Sequence, residues 1–132
     1  YVGVLELKHE GITFYFIDNE YYFSGDKPYG NISSDIEKFA FFSKAVLSAL
    51  PLLDFHPDII HCHDWQTGLV PIYLDNFRYG NEYYQGIKTV MTIHNLKFQG
   101  VWDKKTVRDI TGLPEYYFVP DKLEAYRDAN YL

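Results

Sequence analysis

The sequence predicts an α/β fold with a doubly wound, mainly parallel sheet and an N-terminal β-hairpin, and three observations carry that prediction. Two apolar runs, residues 57–63 and 87–94, have the length and residue types of buried strands. Residues 65–77 between them read as a helix, and strand, helix and strand at this spacing form a right-handed crossover with parallel strands. Both runs end in polar clusters, His61-Cys62-His63-Asp64-Trp65 and Thr92-Ile93-His94-Asn95-Leu96-Lys97-Phe98-Gln99-Gly100. Open α/β sheets collect ligands at the C-terminal ends of their strands, so the chain reads as part of an enzyme cleft.

The elements follow in order. Residues 2–8 and 12–18 are two β-rich runs around His9-Glu10-Gly11, where Gly11 supplies the positive φ of a tight hairpin turn. Residues 19–33 lack periodicity and contain Gly25, Pro28 and Gly30, which predicts a long loop. Ser34 and Glu37 have the spacing of a capping box and open a helix. Its apolar positions Ile36, Phe39, Ala40, Val46, Leu47, Leu50 and Leu53 follow the 3.6 period, and Phe41, Phe42 and Ala45 widen the stripe, so the helix should be largely buried. Pro51 should stop or kink it at Leu50. The helix over 65–77 should be disturbed at Pro71, and residues 81–86 form a turn. Two weaker helical segments, about 104–110 and about 121–131, are separated by Gly112-Leu113-Pro114.

A length of 132 residues supports one core, burying roughly 65 to 70% of the unfolded surface. The net charge of -6 argues against a nucleic acid or an anionic membrane as partner, since both demand a basic face. Cys62 is the single cysteine, so no internal disulfide can form and a cytoplasmic setting is expected. No apolar run reaches the ~18 residues of a membrane span. The start, Tyr1-Val2-Gly3, has neither a basic leader nor an initiator methionine and reads as the interior of a longer protein. Aromatic residues make up 19%, and several cluster in loops as Tyr21-Tyr22-Phe23, Tyr83-Tyr84 and Tyr116-Tyr117-Phe118. Such rings either stack on sugar faces or cover a core.

In an extended strand Ile59, His61 and His63 share one face and Ile60, Cys62 and Asp64 the other. His61 and His63 could ligate a metal, but a His-x-His-x-Asp-His hydrolase motif needs a histidine where Gln66 stands. The plainer reading makes His61 a core histidine bonded to backbone and Asp64 the cap of the following helix. His94-Asn95 should open on the same rim as Asp64, and Gln99-Gly100 suggests a sharp backbone turn past it. The chain contains no GxGxxG, P-loop, GxSxG or HExxH pattern, and no glycosidase carboxylate pair can be assigned.

Residues 57–68, Pro-Asp-Ile-Ile-His-Cys-His-Asp-Trp-Gln-Thr-Gly, and Thr92-Ile93-His94-Asn95-Leu96 through Gln99-Gly100 resemble the bacterial glycogen synthase and plant starch synthase family. Tyr22-Phe23, Tyr29-Gly30 and Glu37-Lys38-Phe39-Ala40-Phe41-Phe42 extend the resemblance over nearly the whole chain. It implies a GT-B glycosyltransferase with two Rossmann-like domains, of which residues 1–132 are part of the N-terminal one. The implied reaction moves glucose from ADP-glucose to the non-reducing end of an α-1,4-glucan, with retention and with no metal or other cofactor. By motif, His94 would sit at the anomeric centre and stabilise developing positive charge through its carbonyl or ring. Asp64 and Asn95 would line the sugar and acceptor side, Tyr29 would close over it, and Phe98, Gln99 and Gly100 would shape the acceptor entrance. Ser24-Gly25 stands where the family usually has Asp-Arg. The family's Lys-x-Gly-Gly-Leu phosphate loop and its C-terminal nucleotide-binding domain lie outside the chain, which should therefore bind a nucleotide sugar weakly and not catalyse alone.

Two other classes make distinct predictions. A metal-dependent hydrolase using His61, His63, Asp64 and His94 requires bound metal. A non-catalytic glucan-binding module would tolerate His94→Ala and fail when the loop aromatics are removed.

Overall fold

The computed structural model describes residues 1–132. Strands β1 (Gly3–His9) and β2 (Ile12–Asp18) form the expected antiparallel hairpin, in register from Gly3↔Asp18 to His9↔Ile12. Its two-residue turn takes positive φ at both Glu10 and Gly11, the geometry whose twist matches the strands. Leu5, Leu7, Ile12, Phe14 and Phe16 lie on one face of the hairpin, and all are exposed.

The loop over 19–33 contains one short helix, α1 (Glu20–Phe23), capped by the Asn19 side chain. Helix α2 (Ile32–Ala49) begins earlier than the sequence suggests. Asn31 is its N-cap and accepts from the amide of Ser34 at 2.9 Å, so Ser34 sits inside the first turn. Glu37 is consequently no capping partner: it accepts from the Tyr22 hydroxyl at 3.0 Å. The predicted stripe is largely right, with Ile36, Ala40, Ala45 and Leu47 buried. Pro51 ends the α-helix as expected, leaving one 3₁₀ turn over Leu50–Leu52.

Strands β3 (Ile59–His63) and β4 (Lys88–Thr92) pair in parallel from Ile59↔Lys88 to His63↔Thr92, which establishes the crossover. Helix α3 (Leu69–Phe77) connects them after a 3₁₀ turn over Trp65–Thr67. The break falls at Gly68 and not at Pro71, because Pro71 occupies the first turn, where its missing N–H has no helical acceptor. The residues 81–86 do turn, through a 3₁₀ segment at Glu82–Tyr84. The two strands are buried on one face only. Cys62 is buried and Ile60 half-buried, while Ile59, His61, His63 and Val90 are exposed. His61 is thus no core histidine, and its Nε2 pairs with the Thr92 hydroxyl at 2.7 Å instead of a backbone group.

Strand β5 (Val101–Trp102) precedes helix α4 (Lys104–Thr111), which is capped by Asp103 and stopped by Gly112 in the left-handed region. The expected helix over 121–131 does not form. Strands β6 (Glu124–Ala125) and β7 (Asp128–Asn130) make a hairpin through Tyr126 and Arg127, both at positive φ, and β7 also pairs with β5. Pairing to a strand more than twenty residues upstream overrides the local helical pattern there. The core joins α2, α3, α4 and the last hairpin through Ile36, Leu47, Leu69, Leu74, Val107 and Ala129. Buried tyrosines tie it together by donating to backbone carbonyls: Tyr131 to Ile36, Tyr84 to Leu47 and Tyr73 to Thr111. Burial pushes the Tyr131 and Tyr73 hydroxyls well above the ordinary phenol range. No helix is long and apolar enough to cross a membrane.

Candidate functional site

Parallel pairing with His63 opposite Thr92 places the ends of β3 and β4 side by side, so Asp64 and His94-Asn95 meet at one rim. Asp64 leaves β3 with φ 59° and ψ -176°, a region that essentially only glycine occupies freely and that costs about 1–3 kcal/mol otherwise. The rim compensates that strain. The Asp64 amide donates to the Thr92 carbonyl at 3.0 Å, and its Oδ1 accepts from the amides of His94 at 2.7 Å and Asn95 at 3.4 Å. The carboxylate therefore does not cap the helix that follows it, since the strand end thirty residues away supplies better-placed donors.

These bonds decide what remains for a ligand. With Oδ1 committed, Asp64 keeps Oδ2 as a charged acceptor. Asn95 Oδ1 accepts from the Lys97 amide at 3.0 Å, which leaves its NH₂ group to donate. The Tyr29 hydroxyl accepts from Gln66 Nε2 at 2.8 Å and retains its own proton for donation. Tyr29, Asp64, Asn95 and Phe98 line one cleft of about 540 Å³ together with Trp65 and Gln66. A carboxylate, two neutral donors and exposed aromatic faces suit a ligand rich in hydroxyls and C–H faces. A second cleft of about 920 Å³, formed largely by residues 21–30, shares Tyr29 and Gln66 with the first.

His94 stands on the rim with its amide held by Asp64 and its ring against His63, Nε2 to Nδ1 at 3.0 Å. Gln99 and Gly100 do not line the cleft. Gln99 spends its amide group on Leu96 and Asn130, and Gly100, at φ 66°, packs against the Trp65 ring beneath the floor. The sharp turn expected at Gly100 is present, but it shapes the site from below. Three contributors were not among the site residues expected from the sequence. Gln66 anchors Tyr29, and Asp35 in the first turn of α2 accepts from the Gly30 amide at 2.9 Å. Lys38, 3.4 Å from Asp35, donates to the Pro28 carbonyl, so α2 holds the Tyr29 loop from both sides. An Asp and a Lys one turn apart on a helix beneath a Gly-Pro loop were the available signal.

The loop aromatics divide between the two roles open to them. Tyr84, Tyr117 and Phe118 are core, Tyr22 stacks on Phe41, and Tyr21 and Tyr116 remain exposed. Desolvation, then the neighbouring Glu37, pushes the Tyr22 hydroxyl up to about 12. No three His, Cys, Asp or Glu side chains converge on a point that could hold a metal ion.

The family model for the starch synthase catalytic domain matches residues 1–132, the whole chain. The chain belongs to that family. A glycogen synthase of Lachnoclostridium phytofermentans is 76% identical over the entire chain, and one of Lachnospira eligens is 71% identical. The chain spans 28% of the length of each of these relatives. Among solved structures, the catalytic domain of starch synthase IV from Arabidopsis thaliana, bound to ADP and acarbose, superposes with a TM-score of 0.82 at 29% identity. That likeness covers 98% of this chain and 27% of the solved catalytic-domain chain, and it identifies the α/β fold as that of a starch synthase catalytic domain.

Proposed function

We propose that the protein containing this chain transfers glucose from ADP-glucose to the non-reducing end of an α-1,4-glucan with retention of configuration. The observation that carries the reading is the Asp64 bridge, which locks the ends of β3 and β4 into a rim bearing one carboxylate oxygen, one amide donor and His94. Relatives named glycogen synthase at up to 76% identity support it, as does a structural neighbour bound to ADP and acarbose.

In this reading His94 lies at the anomeric centre. Its carbonyl or ring stabilises the positive charge that develops on the sugar, a preorganised dipole in place of a nucleophile. Asp64 Oδ2 and the Asn95 amide orient sugar hydroxyls, Tyr29 closes over the cleft, and Phe98 walls the acceptor side, with Gln99 and Gly100 supporting that wall. No metal or other cofactor is required. The chain forms part of the N-terminal domain of a two-domain GT-B enzyme, and β3–β4 belong to a wider, Rossmann-like, doubly wound sheet in the whole domain. The phosphate loop and the opposing nucleotide-binding domain complete the cleft, so the 132-residue chain alone does not transfer glucose. The reading carries a cytoplasmic location with it, consistent with a single unpaired cysteine.

The test measures ADP release by the full-length protein with ADP-glucose and glycogen, with UDP-glucose as the competing donor. Transfer that persists in excess chelator and falls by orders of magnitude in His94→Ala is the expected result. No transfer, or transfer abolished by the chelator while His94→Ala does little, overturns it.

A further inference from the structure

The backbone at His94 is fixed by Asp64, but a fixed backbone leaves the imidazole free to rotate about two bonds. In this structure a second histidine removes that freedom. His63 is the last residue of β3 and shares the exposed face of the strand with His61. Its Nδ1 lies 3.0 Å from His94 Nε2, with the two rings within 18° of parallel and their centroids 5.3 Å apart. On its other side the His61 ring lies 4.3 Å away at 32°, and His61 is itself held by the Thr92 hydroxyl at 2.7 Å. The His63 backbone is pinned at both ends by Thr67, whose Oγ1 accepts from the His63 amide at 2.8 Å and donates to its carbonyl at 2.9 Å. Three imidazoles thus run in file from Thr92 across the strand ends to His94.

A nitrogen-to-nitrogen bond between two neutral imidazoles contains one proton, so the tautomer of either ring dictates that of the other. We infer that His63 is a positioning residue for His94: its Nδ1–H donates to His94 Nε2, fixing the ring and leaving the His94 Nδ1–H free to donate. The inference rests on the glucosyl-transfer reading for its consequence. A ring fixed in this tautomer holds an N–H donor in one orientation for a sugar oxygen. His63 itself touches no substrate; it acts through His94.

The experiment uses the full-length protein with ¹⁵N-labelled histidine. The expected spectrum shows a coupling between His63 Nδ1 and His94 Nε2 across the hydrogen bond, with His94 Nδ1 protonated and Nε2 bare. Replacement of His63 by leucine keeps the volume but removes the donor. It should lower kcat about 10- to 100-fold with both KM values within about twofold, and it should abolish the tautomer signature. His63→Asn keeps an N–H near the Nδ1 position and should restore kcat to within a few-fold. The reverse tautomer, the absence of coupling in the unaltered protein, an undiminished kcat in His63→Leu, or an asparagine variant as impaired as the leucine one overturns the inference. Because the spectrum is read without turnover, a protein that transfers no glucose refutes the synthase reading separately.

Discussion

At φ 59° and ψ -176°, Asp64 occupies backbone territory where a side chain is a burden, yet that side chain holds the amides of His94 and Asn95. The two roles can be separated. Asp64→Gly relaxes the backbone and deletes the acceptor, so, on the glucosyl-transfer reading proposed above, stability should change little while transfer by the full-length protein falls at least about 100-fold. A thermal unfolding curve beside a kcat measurement checks this, and a proportionate loss of both would mean that the carboxylate is only structural. Tyr29 makes a finer case. Its hydroxyl accepts from Gln66 where the two clefts meet. Tyr29→Phe removes the proton that this hydroxyl has left to donate to a ligand, a neutral hydrogen bond worth about 0.5–1.5 kcal/mol, so on the glucosyl-transfer reading the acceptor KM should rise about 2- to 12-fold with kcat nearly unchanged. Kinetics with maltooligosaccharides at saturating donor read that split directly.

Among the elements, helix termini show which sequence signals compete. Ser34 and Glu37 have capping-box spacing, but Asn31 lies one turn earlier in extended backbone and caps first. Asn31→Ala should destabilise the protein by about 1 kcal/mol, while Ser34→Ala should change it by a few tenths, as read from denaturant midpoints. The second cap carries a pH dependence. Hydrogen bonds from the Thr106 hydroxyl and amide hold the Asp103 carboxyl below the usual carboxylate range. A depressed folded-state pKa contributes stability above the unfolded-state value and loses it as pH falls through the lower folded-state value. Asp103→Ala should therefore lower Tm at neutral pH and approach the unaltered protein as the pH falls well below the ordinary carboxylate range, and a deficit that persists in strong acid would refute the linkage.

The same contrast between near and distant partners decides how much was legible in the residues. The hairpin turn and the stop at Pro51 depend on neighbours within a few positions, and the crossover, although it pairs Ile59 with Lys88, follows from the order and spacing of strand, helix and strand. The strand β7 depends on Val101-Trp102, and the use of Asp64 depends on amides thirty residues away, so local rules assigned the first to a helix and the second to a cap. The meeting of Asp64 with His94-Asn95 at one rim of the candidate site was legible because each motif ends a strand. The candidate site was not legible where a helix supports a loop, as Asp35 and Lys38 do.

For the molecule as a whole, the governing fact is the distribution of apolar surface. Leu5, Leu7, Ile12, Phe14 and Phe16 form one continuous exposed face of the β1–β2 hairpin, while the core lies around α2, α3 and α4. Five large apolar side chains on one face of a two-stranded ribbon exceed what single chains commonly leave in water. Both edges of that ribbon and of β3–β4 also carry unpaired backbone donors and acceptors, which template further strands. The isolated 132-residue chain should therefore self-associate, and sedimentation velocity should show species heavier than the 15.5 kDa monomer at micromolar concentration. Leu7→Lys with Phe14→Glu places an opposite-charge pair at a directly paired position in the middle of that face and should return the chain to the monomer without altering the core. A monomeric unaltered chain would show that the hairpin folds back onto its own core in solution, and association that survives both charges would move the contact to the β3–β4 edges.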